Sequence, residues 1–449
     1  MQTEDDTIRD LLSIRAILPG DADYDTARIS FNGILDRRPL AIVSCASTDD
    51  VVAAVLGARQ AGLPIAIRGG GHSVAGHSMP DGALVVSLDR MRGVDVDPEA
   101  RLAHAGGGAL WDDVDAAAFA HGLAVPGGTF GDTGIGGLTL GGGLGWLMPI
   151  AGLTCDNLVE AEVVTADGRV VIAGANDDAE LLWALRGGGG NFGVVTRFTF
   201  RLTPIGPMWG GTIRYPASAS RVVFARFNEV YAAYPTLGMP VIGIHRDPET
   251  GPSISVLVGI VDGTDPEPVL ASLRRDLPVT SDDVGPRTYL ELQAEAGILP
   301  FGLRHYWKGH FLRELDGDTF ERLVATVGDA DAIGPTFILL EGIVGAARVE
   351  PEGGAAFGQR AASWNVSALA IWESPTDDDI AIGWARRVAD MVEPLSLTGA
   401  GYVNYSPVDE TRERVMAAYG PDRYERLVAT KRRLDPENLF RFNHNIRPD

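Results

Sequence analysis

The chain has 449 residues, with 38 Lys and Arg against 60 Asp and Glu, which gives a formal net charge of −22. Hydrophobic residues at 45% and charged residues at 22% are ordinary for a folded protein, and this composition excludes extensive disorder. The acidic balance argues against nucleic acid or an anionic membrane as a partner. At roughly 150 residues per domain, the length predicts two large folding units or three smaller ones.

Cysteine content and hydropathy exclude several further classes. The two cysteines, Cys45 and Cys155, cannot form a disulfide framework, and no paired ligand spacing predicts a metal site. The first residues are acidic and lack the apolar core of a signal peptide, and no window reaches about 18 uninterrupted apolar residues. We therefore expect a cytoplasmic protein without a membrane span or a metal, acting as a monomer or homodimer.

The first half of the chain reads as short elements between glycine-rich segments. Residues 48–62 begin with a Thr cap and acidic residues and continue with apolar residues at helical spacing, which predicts a helix. Further on, the pattern predicts strands at 63–68, 83–89 and 194–202, helices at 109–121 and 179–186, and a hairpin at 160–173.

After Pro204 the pattern changes. Longer apolar strands alternate with amphipathic helices over residues 205–410, which predicts an α+β domain with an antiparallel sheet and helices on one face. Residues 411–449 read as an amphipathic helix followed by an extended tail.

Many of the 56 glycines cluster in four segments that border periodic apolar sequence. We name these segments loop 1 (68–78), loop 2 (105–113), loop 3 (126–146) and loop 4 (186–195). Loops of this composition allow close approach of the backbone to a ligand, and their N–H groups can line an anion.

Loop 4 contains Gly188, Gly190 and Gly193 in the spacing G-x-G-x-x-G. A dinucleotide fingerprint follows a strand and opens a helix, whereas here a helix precedes the glycines and a strand follows them. This order argues against a nicotinamide-dependent dehydrogenase.

His72 in loop 1 has two interpretations. A histidine in such a loop is often a surface residue or a partner for nearby carbonyls. With glycines leaving its ring open to a ligand, a neutral imidazole is also a competent nucleophile.

Taken in chain order, RGGGHS in loop 1, GGTFGDTGIGGLTLGGG in loop 3, RGGGGNFGVV in loop 4 and the tail DPENLFRFNHNI resemble the berberine-bridge-enzyme-like flavin oxidases. The likeness is greatest to the bacterial hydroxynicotine-oxidase-like members. The resemblance implies FAD as cofactor and a vanillyl-alcohol-oxidase type of FAD-binding fold. It implies an FAD-binding domain over 1–204 in two parts (1–97 and 98–204), a substrate domain over 205–410, and a C-terminal segment over 411–449 that returns to the FAD domain.

The resemblance also implies which residues contact FAD. His72 matches the histidine that family members bond to the flavin C8 methyl carbon. The other expected contacts are Arg68, Gly69, Gly70, Gly71, Ser73, Val74, Gly76, His77, Gly128, Thr129, Thr133, Gly136, Gly137, Gly141, Gly142, Gly143, Asp156, Asn157, Gly190, Asn191, Gly193, Val194, Val195, Asn443 and Asn445.

Many family members carry a second link, from a cysteine to the flavin. Phe130 occupies the matching position here, and Cys155 lies well downstream. We therefore expect a single covalent link at His72 and a buried structural role for Cys155.

The segment GYVNYSPVDE (401–410) resembles the family's Y-x-N-Y motif, whose tyrosines face the flavin. We expect Tyr405 to be the catalytic base, with a pKa lowered by positive or polarising neighbours. Tyr402 is the alternative base, and two core tyrosines on a strand are the structural alternative. Where some members carry a glutamate base, residues 361–372 offer no carboxylate, and Glu341 on the preceding strand is expected to orient the substrate or a tyrosine.

The implied activity is oxidation of an alcohol, such as a carbohydrate or secondary metabolite, by hydride transfer to flavin N5 with O2 as acceptor and H2O2 as product. The small Thr133 near the position matched to oxygen gating supports O2. Three alternatives stay open: an amine or alkaloid oxidase, a flavin dehydrogenase with another acceptor, and a non-catalytic flavin-binding protein. The substrate-domain aromatics Tyr306, Trp307, Trp364 and Trp372 do not decide between them.

Overall fold

The computed structural model describes residues 16–247, 251–297, 299–329 and 332–449. Most of the acidic N-terminal segment, residues 1–15, lies outside the described residues. Within them, strands form sheets of four, five and eight strands and one two-stranded pair. This mixture of helices with largely antiparallel sheets confirms the predicted α+β class.

The first sheet leads the chain into loop 1. It has the order β1-β2-β4-β3, and β2 and β3 both run parallel to β4. A parallel pair needs a crossover, which the helix Thr48–Ala61 supplies between β2 and β3. Loop 1 therefore leaves the sheet at the carboxyl end of a parallel strand, where open α/β sheets bind ligands. The strands are β1 (Ala16–Ile17), β2 (Ala41–Ser44), β3 (Ile65–Arg68) and β4 (Leu84–Ser87).

The crossover helix begins one residue earlier than its Thr cap predicts. Ser47 is the N-cap, and its Oγ accepts a hydrogen bond from the Asp50 N–H while the Asp50 carboxylate accepts from the Ser47 N–H. The helix ends at Gly62, whose φ of +66° suits glycine.

The second sheet joins loops 2 and 4. Loop 2 begins at the end of β6, and loop 4 runs into β10, the strand paired with β6. The predicted hairpin is formed by β8 and β9. The order is β5-β6-β10-β8-β9, with strands β5 (Val94–Asp97), β6 (Leu102–Gly106), β8 (Leu158–Val164), β9 (Val170–Gly174) and β10 (Val194–Arg201); β7 (Leu123–Ala124) pairs with β11 (Thr203–Pro204).

The third sheet follows in the order β15-β12-β14-β13-β18-β19-β17, with β16 paired to β12. In the described residues, all strand pairs of this sheet are antiparallel, as the alternating pattern after Pro204 predicts. The strands are β12 (Met208–Pro216), β13 (Val241–Asp247), β14 (Gly251–Ile260), β15 (Ser281–Asp282), β16 (Gly285–Arg287), β17 (Arg304–Leu312), β18 (Phe337–Gly342) and β19 (Trp364–Trp372).

The two faces of this sheet have different neighbours, because successive side chains on a strand point to opposite sides. Leu340 and Val366 pack in one hydrophobic cluster with the helices 220–233, 266–274, 317–326 and 378–392. Leu339 and Leu369 pack instead with Val74 of loop 1. Glu341 follows Leu339 by two residues and therefore belongs to the face toward loop 1.

The remaining helices of the described residues connect the sheets and form the C-terminal segment. None of the described helices is both long and apolar enough to cross a bilayer. These helices are Tyr24–Ala27, Trp111–Phe119, Ile135–Leu140, Met148–Ala151, Ala179–Leu185, Tyr289–Gln293, Arg412–Tyr419 and Pro421–Leu434.

Candidate active site

A cavity lies where loops 1, 3 and 4 meet the C-terminal tail and the third sheet. Its accessible volume is about 290 Å³. Its wall is built mostly from glycine backbone and apolar side chains, with a few polar groups between them. The residues predicted as contacts that line it are Gly69, Gly70, Gly71, His72, Ser73, Val74, His77, Gly128, Thr129, Thr133, Gly136, Gly137, Gly141, Gly190, Gly193, Val195, Tyr402, Tyr405 and Asn443.

Two glycine pairs explain the glycine density in different ways. A Cβ on Gly70 would lie 2.3 Å from the backbone nitrogen of Gly134, so loops 1 and 3 approach this closely only because both residues are glycine. Around Gly137 and Gly190, in contrast, no atom of the described residues lies within 4 Å of the Cβ position. Both line the cavity, so a side chain at either would take space that a bound group needs.

Buried polar atoms without partners also mark the cavity wall. The Nε2 of His77, the Oδ1 of Asn443 and the Nε1 of Trp307 are buried and make no hydrogen bond to the described part of the chain. Native proteins leave few such atoms unpaired, so these atoms indicate a missing hydrogen-bonding ligand. A long cavity with a glycine-rich wall and unpaired donors and acceptors fits FAD.

His72 stands at the cavity wall with its ring held by aromatic neighbours. The ring stacks on Phe31 with centroids 4.7 Å apart and planes 24° apart, and it meets Phe301 edge-on at 4.9 Å. Its Nε2 lies 3.2 Å from the Oδ2 of Asp132 in loop 3.

The position of a second flavin link is occupied by an inert side chain. Phe130 lines the cavity and carries no thiol. Cys155 is fully buried outside the cavity lining, with its Sγ 3.6 Å from the Asp156 Oδ1. Burial raises the pKa of the Cys155 thiol well above its ordinary value, and the Asp156 charge raises it further. The thiol is therefore protonated and unreactive.

Several predicted contacts do not line the cavity, and the structure shows their polar atoms bonded within the protein. Asp156 pairs with buried Arg360 at 2.5 Å and accepts the Leu153 N–H. Asn157 donates to the carbonyls of Ala151 and Leu153. Their polar atoms are hydrogen-bonded within the protein, so these two residues stabilise the segment that follows loop 3.

Some predicted contacts in loops 1, 3 and 4 also lie outside the lining. Arg68 donates to the Ala27 carbonyl, and Val194 packs in the core under the first sheet. Gly76, Gly142 and Gly143 have φ of +73°, +126° and +89°, so their glycines serve the turns.

The C-terminal tail is fastened to loop 4. Lys431 is fully buried, and its Nζ donates to the carbonyls of Asn191 and Phe440 and to the Asp435 carboxylate. The Asn191 side chain in turn accepts the Ile446 N–H at 2.9 Å, so Asn191 holds the tail in place although it does not itself line the cavity. Asn445 also lies outside the lining, although its Oδ1 is buried without a partner.

Three polar side chains converge next to the cavity from separate parts of the chain. Tyr405 lines the cavity, and its hydroxyl donates to the Glu341 Oε1 at 3.2 Å. The Asn365 Nδ2 donates to the other carboxylate oxygen of Glu341 at 2.8 Å. Glu341 is itself buried behind the tyrosine rather than in the wall.

Burial sets the protonation of this group. It raises the pKa of Glu341 to about 7, against the opposing hydrogen bonds from Asn365 and Tyr405. Burial and the Glu341 charge raise the pKa of Tyr405 well above its ordinary value. The expectation of a lowered tyrosine pKa is wrong, because the Tyr405 hydroxyl is buried and faces a carboxylate instead of a cation.

Tyr402 is held differently. Its hydroxyl oxygen accepts hydrogen bonds from the Gly143 N–H and the Asn404 Nδ2, each at 2.8 Å. Its ring packs 5.0 Å from Tyr405 at 72°. The two tyrosines lie at either end of a short 3₁₀ turn over Val403–Tyr405, so the strand alternative for this segment is wrong.

The sequence reading missed several residues of the site. In the sequence, Asn365 is marked only by its place on the strand where some family members carry a glutamate base. Nothing in the sequence marks Asp132 as a site residue. Asn404 and His444 also line the cavity. Asn404 lies within the tyrosine motif, and His444 lies between two predicted asparagines, so both could have been predicted from their sequence neighbours. Of the four substrate-domain aromatics, Trp307 lines the cavity, whereas Tyr306, Trp364 and Trp372 pack toward the helices.

Comparisons with known proteins agree with this site. Sequence models of two families match the chain: an FAD binding domain over residues 39–174, and the berberine and berberine-like family over residues 401–447. The two segments contain loop 1, loop 3, both tyrosines and the tail, which together form most of the cavity wall.

Three relatives extend the match to the whole chain. (R)-6-hydroxynicotine oxidase of Paenarthrobacter nicotinovorans is 32% identical over 96% of each chain, and the uncharacterized FAD-linked oxidoreductase YgaK of Bacillus subtilis (strain 168) is 31% identical over 97% of each. The crystal structure of 6-hydroxy-D-nicotine oxidase from Arthrobacter nicotinovorans has a TM-score of 0.88 at 31% identity, covering 98% of this chain and 99% of that one. The chain thus belongs to the berberine-bridge-enzyme-like family and is an FAD-linked oxidoreductase.

Proposed function

We propose that this enzyme oxidises an alcohol, with FAD bonded to His72 and with O2 as the electron acceptor. One observation carries the proposal of an alcohol: Tyr405 lines the cavity, and its hydroxyl is hydrogen-bonded to a buried carboxylate whose pKa burial raises to about 7. Such an arrangement removes a proton from a substrate hydroxyl.

Bound FAD supplies the hydride acceptor, flavin N5. Tyr405 by itself cannot act as the base near neutral pH, because its raised pKa keeps the hydroxyl protonated. Its hydroxyl can accept the substrate proton while passing its own proton to Glu341, which is ionised above pH about 7. Asn365 holds the second oxygen of Glu341 and leaves the first one free to face Tyr405. The proton therefore moves from the substrate to Glu341 through Tyr405.

The apolar wall supports this step by limiting water. Leu144, Leu299 and Trp307 line the cavity together with the tyrosines. In a site with little water, the hydrogen bond between Tyr405 and the carboxylate is stronger than it would be in solution.

A bond between His72 and the flavin is supported by the position of the ring in the cavity wall and by its two aromatic neighbours, Phe31 and Phe301. In denatured protein the flavin should stay with the peptide that contains His72. His72→Ala should fold, bind FAD without a bond and turn over more slowly. Release of all flavin from the parent protein by acid would contradict the link.

A specific observation also favours an amine. The relative (R)-6-hydroxynicotine oxidase is similar over nearly the whole chain, and an ionised Glu341 would attract a cationic group. A panel of secondary alcohols, sugars and cyclic amines, assayed anaerobically by flavin reduction, distinguishes the two. Reduction by alcohols supports the proposal, whereas reduction by amines alone replaces it with the second candidate.

O2 as acceptor is supported by the small Thr133 in the cavity wall. One H2O2 per substrate oxidised in air is the expected result. Reduced enzyme that reacts with quinones or dyes but hardly with air would make the protein a dehydrogenase instead.

A further inference from the structure

Asp132 stands beside the histidine proposed to carry the flavin, yet neither the sequence motifs nor the alcohol mechanism uses it. Its Oδ2 lies 3.2 Å from the His72 Nε2. Its other oxygen, Oδ1, is buried and makes no hydrogen bond to any described residue, and the contact at Oδ2 lies outside hydrogen-bond geometry, so the His72 Nε2 is also unpaired among the described residues. The Asp132 side chain is only 27% exposed, and shielding an ionised oxygen without a hydrogen bond is costly, so this pair requires an explanation.

Besides this carboxylate, two aromatic rings contact the His72 ring. Phe31 covers one face of the ring, and Phe301 meets it edge-on. These contacts restrict rotation of the ring and keep Nε2 toward Asp132. Within the described part of the chain, the His72 Nδ1 makes no hydrogen bond, so that nitrogen is available to react.

We propose that Asp132 is a positioning residue for attachment of FAD to His72. From 3.2 Å, a small turn of either side chain lets the carboxylate accept the Nε2 proton of the neutral imidazole, which holds the tautomer whose lone pair is on Nδ1. A carboxylate behind an imidazole has this effect in metal sites and catalytic triads. The inference rests on the proposed covalent link.

The attachment step balances as follows. The Nδ1 lone pair forms a bond to the C8 methyl carbon, and one C–H bond of that methyl group breaks. The hydrogen leaves as a proton, and the electron pair of the broken bond stays in the flavin ring system as a two-electron reduction. Transfer of these two electrons and two protons to O2 gives H2O2 and restores the oxidised ring.

Asp132 contributes at both ends of the step. Before it, the carboxylate selects the reactive tautomer. After it, His72 carries a bond on Nδ1 and a proton on Nε2, so its ring is a cation, and the nearby negative charge stabilises this product. In Asp132→Asn, the amide can donate a hydrogen to Nε2, which favours the opposite tautomer, and the negative charge is lost.

The test measures attachment, separately from substrate oxidation. Full-length protein produced in a riboflavin-limited host is mixed with FAD in air, and the covalent fraction is followed by flavin fluorescence in denaturing gels. Asp132→Asn should bind FAD but attach it more slowly, on the order of 10–100-fold. Asp132→Glu, which keeps the carboxylate, should restore part of the rate.

Asp95→Asn is the matched control. Asp95 is an exposed acid on β5, outside the cavity lining and without a contact to His72 among the described residues. It should attach FAD at the parental rate. Attachment by Asp132→Asn at the parental rate, or failure of that variant to bind FAD at all, would overturn the inference. Absence of covalent flavin in the parent would instead contradict the proposed link itself.

Discussion

Glu341 and Asn365 lie directly opposite each other on the antiparallel strands β18 and β19, and the Asn365 amide donates to the Glu341 carboxylate at 2.8 Å. The strand β19 contains no acidic residue that could serve as the catalytic base. The neighbouring strand supplies the carboxylate instead, on the same face of the sheet. Asn365 holds it in position, and Tyr405 connects it to the cavity.

Tyr405→Phe tests the proton path. The change removes the hydroxyl that faces Glu341 and keeps the ring, whose packing against Trp307 and Tyr402 is unaffected. The rate of flavin reduction should fall by roughly 10²–10⁴, the usual contribution of a general base. Stopped-flow absorbance under anaerobic conditions measures it, with substrate binding nearly unchanged. A larger loss in Tyr402→Phe than in Tyr405→Phe would move the base to Tyr402.

The pH dependence tests Glu341. Because burial raises its pKa to about 7, the carboxylate is protonated below that pH and cannot take a proton. Flavin reduction by an alcohol should therefore be slow in acid and rise through pH about 7 to a plateau. Glu341→Gln should be slow at every pH and lack this acidic limb. An unchanged limb in Glu341→Gln would assign it to another group.

The same pKa shift has a consequence for stability. Between the ordinary value of 4.5 and about 7, Glu341 is protonated in the folded state but ionised in the unfolded state. The folded state binds more protons there, so the contribution of Glu341 to stability falls as the pH rises through this range. Thermal unfolding of Glu341→Gln compared with the parent should show a larger relative gain at pH 8 than at pH 5.

Cys155 should take no part in flavin attachment. It is buried away from the cavity lining, and its thiol donates to Asp156. Cys155→Ser keeps a small donor at this position and should leave the covalent fraction and the flavin spectrum unchanged, with a small loss of stability. Mass spectrometry of flavin-bearing peptides measures this, and flavin mass on a Cys155 peptide would disprove the single link.

Lys431 should be among the residues that matter most for stability. Its buried ammonium satisfies two carbonyls and the Asp435 carboxylate. Lys431→Ala leaves Asp435 buried without its partner and should cost about 3–5 kcal/mol. Chemical denaturation measures the loss, and Arg432→Ala, on the exposed side of the same helix, is the control. Because Lys431 holds the tail that lines the cavity, weaker FAD binding should accompany the lower stability.

Several features of the site could be predicted because they depend on nearby residues. Glycine at 137 and 190 reflects the space left beside the backbone, and loop 1 follows its strand directly in sequence. The same holds for helix Thr48–Ala61, whose caps and apolar spacing lie within the segment itself. The resemblance of these local patterns to a family was enough to predict FAD and the fold class.

Other features depended on pairings between distant segments. Asp132 reaches His72 only because loops 1 and 3 cross at Gly70 and Gly134, and Asp156 is occupied by Arg360, which lies 204 residues later. A pattern within one segment carries no record of such neighbours. The direction of the Tyr405 pKa shift was predicted wrongly for this reason.

By itself, the sequence determined that the chain folds as α+β units around glycine-rich loops, since composition, periodicity and turn residues act over a few residues, and the resemblance of those loops to a family implied FAD. Only the tertiary structure decided which polar groups meet at the cavity. Glu341, Asn365 and Tyr405 are brought together by strand register and by a turn more than 30 residues beyond the last strand. Their protonation follows from burial, which belongs to the folded molecule and to no segment of it.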